Sequence, residues 1–192
     1  MKKTKLLSCQ RGFSILEVLI AGLITAILAA SGFQFYTKMH GQSETQYNVS
    51  EMQQLARSSL YDMRKSLLQA GFKLSAHDPY KISGDTLAVY YSVTQPVDTI
   101  QYYLVEFTLA EYANVPDRTS STRIYKLVKK VNSGDAAIFA DYVTDIDFKQ
   151  IDAANIIITI KVQATHSDDS YKPNSGFRVY TLTERINVRN VG

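Results

Sequence analysis

Apolar side chains run almost unbroken from Phe13 to Phe35, thin into a spaced pattern, and give way to short alternating runs beyond Ser75. The first block, Phe13 to Tyr36, holds 24 residues and a single formal charge, Glu17. As a helix rising 1.5 Å per residue it would extend roughly 36 Å, enough to cross a hydrocarbon core of about 30 Å. Between Ser43 and Ala70 the spacing changes. Val49, Met52, Ala56, Leu60, Met63, Leu67 and Ala70 recur at steps of three and four, the signature of one stripe on an amphipathic helix. Gln53, Arg57, Arg64 and Lys65 supply polar cover. No proline occurs before Pro79, and Gly71 suits a helix C-cap, where positive φ carries no Cβ penalty. The pattern predicts one helix over about 14–70, with its first half in a membrane and its second half against a domain.

Past Ser75 the runs become short and rich in Val, Ile, Thr and Tyr, residues suited to a pleated, half-buried surface. Strands are expected at Leu87–Val93, Ile100–Phe107, Arg123–Val131, Val143–Ile151, Asn155–Ala164 and Phe177–Val188. Ile156, Ile158, Ile160 and Val162 alternate with Ile157, Thr159, Lys161 and Gln163, which predicts one packed and one wet face. Turns are expected at Thr94–Thr99 with Pro96, at Asn132–Asp135 and at Asp152–Asn155. Ala110–Thr122 and Thr165–Gly176 read as longer loops. Strands that follow a helix, without alternating with helices, predict an α+β class with an antiparallel sheet. The C-terminal half of the helix should cover one face of that sheet.

Charge then sets the orientation. Lys2, Lys3, Lys5 and Arg11 precede Gly12 with no acid among them, whereas Lys38 is the only base in the first twenty residues beyond Tyr36. Cations concentrate on the cytoplasmic side, so the chain beyond the apolar segment is expected outside the inner membrane. Glu17 is the anomaly. An ionisable group in lipid costs about 2.5–3.5 kcal/mol at mid-membrane and less near the ends, and so tends to mark function. An ordinary secretory signal has a shorter apolar core followed by a small-residue cleavage site. The length of this run and the place of Glu17 fit that poorly, and a plain anchor leaves Glu17 unexplained.

The run Gly12-Phe13-Ser14-Ile15-Leu16-Glu17-Val18-Leu19-Ile20-Ala21 resembles the N-terminal processing site of type IV prepilins and type II secretion pseudopilins. The resemblance implies a basic leader over 1–12, removed by a prepilin peptidase between Gly12 and Phe13, with N-methylation of Phe13. It implies a membrane and filament-core helix over 13–36, its amphipathic continuation over 37–71, and a periplasmic, β-rich, pilin-like domain over 72–192. It further implies that Glu17 pairs with the amino terminus of a neighbouring subunit during assembly. Along the chain, Leu60–Lys65 with Gln69-Ala70-Gly71-Phe72, then Gly84–Tyr91, look like landmarks of PilW-like minor pilins and J-type pseudopilins. Tyr125–Leu127, Val143–Phe148 and Ile186–Asn190 are similar to later ones. The sequence departs from that pattern at Lys65-Ser66.

With the leader gone, 17 of the 21 bases remain against 18 acids, a balance of −1, so the basic pI belongs largely to the leader. Tyrosines beside Lys126, Lys129 and Lys130 could stack on nucleic acid, but that charge makes none expected. Cys9 lies in the leader, so a processed chain would form no disulfide. His40, His77 and His166 are scattered, without metal-ligand spacing, and no nucleophile elbow or phosphate-binding glycine loop occurs. No enzyme activity, cofactor or metal is expected, with solvated charge preferred to calcium at Asp168-Asp169. The thirteen tyrosines, Tyr90, Tyr91, Tyr102, Tyr103, Tyr112 and Tyr171 among them, offer either core or an adhesive patch. The expected role is a minor pilin in assembly or priming of a type IV pilus, near the filament tip. The alternatives are a J-type type II secretion pseudopilin and a tip adhesin or DNA-uptake component. Expected partners are the peptidase, other pilins or pseudopilins, the inner-membrane assembly platform and lipid.

Overall fold

The computed structural model describes residues 12–74, 78–93, 97–115, 122–168 and 171–190. A 55-residue helix, α1 (Ile15–Gln69), is followed by seven strands: β1 (Tyr80–Ser83), β2 (Thr86–Tyr91), β3 (Asp98–Glu106), β4 (Tyr125–Val131), β5 (Ala136–Gln150), β6 (Asn155–Gln163) and β7 (Val179–Asn187). A one-turn helix, α2 (Leu109–Ala113), and a 3-10 turn (Pro173–Gly176) interrupt the strands. Two compact units result, Met1–Glu44 and Thr45–Gly192.

In the first unit, every described residue from Gly12 to Glu44 is exposed. The apolar start of α1 is long and apolar enough to cross a membrane by length and composition, and none of it is buried within the chain. The second unit is built around the other half of α1. Its sheet is a seven-stranded antiparallel meander in sequence order. The stripe of Met52, Ala56, Leu60, Met63, Leu67 and Ala70 enters one core with Leu87, Val89, Tyr102, Leu127, Val143, Ile146 and the alternating isoleucines of β6. Val49 packs against that core from its margin. Fully burying a side chain of this size contributes about 1.5–3 kcal/mol, so the stripe is the main attachment of helix to sheet.

The sheet curls about the helix. Register shifts occur between β4 and β5 and again between β5 and β6, and Tyr142 sits at φ 56° between them. Extra residues of this kind bend a strand and sharpen its twist. The curl carries β1 far enough round that the Tyr80 hydroxyl donates to the Ala153 carbonyl, 2.9 Å away in the β5–β6 turn.

Several expectations need correction. Gly84 lies at φ 56°, and Gly84-Asp85 closes a β1–β2 hairpin that sequence reading missed because β1 has only four residues. Strand β5 begins at Ala136, seven residues before the expected Val143, because β4 and β5 are paired right up to the Asn132–Asp135 turn. The loop expected at Ala110–Thr122 opens with α2, fixed by a capping box in which Thr108 and Glu111 bond each other's backbone N–H. The helix ends as expected at Gly71, φ 76°, where Asn190 Nδ2 donates to the Ala70 carbonyl at 3.0 Å. Of the Thr94–Thr99 turn, residues 94–96, with Pro96, lie outside the described residues.

Candidate functional site

The start of α1 is built from four residues. Gly12 and Phe13 precede the helix without regular secondary structure, and Phe13 is 87% exposed. A Cβ added at Gly12 would meet nothing within 4 Å. Among the described residues no packing demands glycine there. Ser14 occupies the cap position: its Oγ accepts from the Leu16 backbone N–H at 3.3 Å, and its own N–H donates to Glu17 Oε2 at 2.9 Å. This reciprocal pair satisfies two of the backbone donors that a helix start leaves open. Sequence reasoning singled out Glu17 and passed over Ser14, although Ser-x-x-Glu ahead of an apolar run is the signal for this cap. The Glu17 carboxylate is thereby turned back toward Phe13. Only Oε2 is used, so Oε1 has no partner among the described residues.

Chemically this is a negative charge fixed at the head of an apolar helix, beside the exposed Gly12-Phe13 dipeptide. It offers an acceptor to an incoming cation. Arg11 and the rest of the basic leader, with Cys9, lie outside the described residues.

The folded unit carries its own polar clusters. Asp62 Oδ2, on α1, accepts from the Tyr102 hydroxyl at 2.5 Å and from Lys129 Nζ at 2.7 Å. Ser66 Oγ lies 2.8 Å from the same hydroxyl, and Lys129 Nζ stands 5.6 Å above the Tyr102 ring. Burial, reinforced by the bond to Asp62, pushes the Tyr102 phenol well above its ordinary range. Ser66 thus supplies a hydroxyl that joins helix to sheet. Lys126 is likewise engaged, pairing with Glu111 and standing over the Phe107 ring.

Asp168 Oδ2 accepts from Arg178 Nε at 2.8 Å and from the Thr45 hydroxyl at 3.2 Å, tying the 165–176 loop to α1. That carboxylate is committed to a guanidinium; Asp169 lies outside the described residues. Among the described residues no three His, Cys, Asp or Glu side chains converge as metal ligands. His40 stacks on Tyr36 and faces Glu44, His166 bonds Thr165, and His77 is not described.

The singled-out tyrosines do different things. Tyr102 is core, Tyr112 is held through its hydroxyl to the Ile124 backbone, Tyr171 lies beneath Arg178, and Tyr91 lines a cavity. That cavity, about 610 Å³, lies at the end of α1 among Leu68, Phe72, Tyr91, Val93, Asp98 and Asn132. Asp98 forms its polar floor, buried and accepting from the Val93 N–H at 2.9 Å and Asn132 Nδ2 at 3.0 Å. A smaller groove of about 230 Å³ opens between α1 and β5. Comparison of the chain with protein-family models, with curated proteins and with solved structures finds no match.

Proposed function

We propose that the protein is a membrane-anchored, pilin-like assembly subunit, a minor pilin that takes part in initiating a type IV pilus and is not an enzyme. The observation that carries the reading is the head of α1: a lone carboxylate, five residues behind the Gly12-Phe13 junction, at the start of a wholly uncovered apolar helix. Cleavage after Gly12 would free an ammonium at Phe13. In low dielectric a carboxylate and an ammonium neutralise one another, whereas each alone is costly to bury. Oε2 already holds Ser14, so Oε1 is the atom left to receive the amino terminus of a neighbouring subunit. The apolar flank of α1 would pass from lipid into contact with sister helices, and the folded unit would stand in the periplasm.

The open environment of Gly12 also supports the reading, because among the described residues nothing covers the Gly12-Phe13 junction against a peptidase. Membrane insertion and processing are expected to separate in a Gly12→Val variant, which should insert but keep its leader. Sequencing the N-terminus of the purified protein tests this. A wild-type chain beginning at Phe13 and a variant beginning at Met1 support the proposal. A functional wild-type chain that still begins at Met1 overturns it.

A further inference from the structure

The groove between α1 and β5 is floored by Met52, Leu55, Phe139 and Val162, with Glu51 and Asp141 on its rim. Ile138 lines it too and is 57% exposed. Glu51 and Asp141 are both exposed, and neither has an ion pair or hydrogen bond among the described residues. Among the described residues, Lys129, 6.0 Å from the Phe139 ring, is held by Asp62, and Arg178 is held by Asp168. The Tyr142 hydroxyl is pushed up by its own burial and then by Asp141 and Glu51, which places both acids in its field.

The shape restricts the occupant. At about 230 Å³ the groove falls below the roughly 300–1,000 Å³ of pockets that enclose small-molecule ligands. It suits one or two side chains. A methionine in the floor adapts to irregular partners. Two unpaired carboxylates above an apolar floor favour a side chain with an aliphatic stem and a cationic tip, since Lys and Arg bury their methylenes while keeping the charge at the rim. Rim charges of one sign also steer an oppositely charged partner and reject an acidic one.

We infer that this groove is a docking site for a segment of a different protein, one that carries a lysine or arginine beside an aliphatic residue. The inference uses only the folded unit and stands whether or not the chain is processed or enters a filament. Two fluorescein-labelled hexapeptides serve as probes against the full chain in detergent micelles, with empty micelles as the blank. One is acetyl-Gly-Leu-Arg-Leu-Lys-Gly-amide; the other has glutamate in place of both cations. Fluorescence anisotropy should show the cationic probe binding at least about tenfold more tightly than the acidic one. Glu51→Gln combined with Asp141→Asn should weaken it by about tenfold, about 1.4 kcal/mol shared between two exposed charges. Both substitutions are on the surface and should leave the fold intact, which circular dichroism checks. Equal binding of the two probes, no binding of the cationic one, or no loss in the double variant overturns the inference. So does sedimentation in which the wild-type chain self-associates and the double variant does not, since the occupant would then be a second copy.

Discussion

The two halves of α1 are continuous in backbone and opposite in economy of burial. From Thr45 to Gln69 the helix hides a single stripe, with Leu60 at 1% exposure, and leaves its other faces to solvent. From Phe13 to Phe35 twelve large apolar side chains are exposed, and no side of the helix is covered. At about 1.5–3 kcal/mol per side chain, on the order of 20 kcal/mol of burial is left to an environment outside the chain. The difference teaches that one half takes its stability from the sheet, while the other half, long and apolar enough to cross a membrane, finds no such cover among the described residues. Substitutions in Thr45–Gln69 should register in folding, and those in 13–35 should leave the folded unit's stability unchanged.

The sharpest way to break this contrast is a matched pair of truncations. Leu60→Ala should destabilise the folded unit by about 2–5 kcal/mol, because it opens a cavity against the sheet. Leu23→Ala should change the same urea transition by less than about 0.5 kcal/mol, as substitutions away from packed features do. Equal effects would show that the two halves are not distinct.

The next effect lies at the helix end. A Cβ at Gly71 would come within 2.1 Å of the Asn190 carbonyl oxygen, and φ there is 76°. Gly71→Ala should therefore cost roughly 3 kcal/mol, from left-handed strain together with overpacking. Thermal unfolding measures it, and a Tm within a degree of wild type would refute the close approach.

A smaller effect is tied to pH. Tyr102 is held protonated in the folded state by burial and by Asp62, so its folded pKa exceeds its unfolded one. A group raised in this way gives stability that is fully present below its unfolded pKa, about 10, and is lost as pH rises above it. Tyr80, Tyr91 and Tyr142 shift in the same direction, chiefly through burial. Tyr102→Phe should cost about 1–2 kcal/mol at neutral pH by leaving Asp62 and Ser66 short of a partner. It should also flatten the loss of stability between about pH 10 and 12. Denaturation curves across that range check both, and an unchanged alkaline slope would count against the clamp.

Much of the fold was legible because period and partner agreed. The steps of three and four from Met52 to Ala70 predicted the buried stripe, and the period of two in Ile156–Val162 predicted the packed face of β6. What was missed depended on contacts no local pattern carries. Strand β1 is too short to alternate visibly, and the early start of β5 is set by pairing with β4. Helix α2 and the Ser14 cap were missed for another reason. Their Thr-x-x-Glu and Ser-x-x-Glu signals are present, but one opens a helix of only five residues and the other shares its glutamate with the lone charge of the apolar run. At the head of α1 the sequence pointed to Gly12, Phe13 and Glu17, while the hydrogen bonds add that Glu17 is also a cap.

That double use gives the most direct test. Glutamine at this position can still cap a helix start, since a capping box accepts either residue, but it cannot neutralise an ammonium. Glu17→Gln should therefore leave the helix and membrane insertion intact and remove the protein from sheared filaments, measured by immunoblot beside the membrane fraction. A variant recovered in filaments at the wild-type level would show that Glu17 only caps α1, and the assembly account would be wrong.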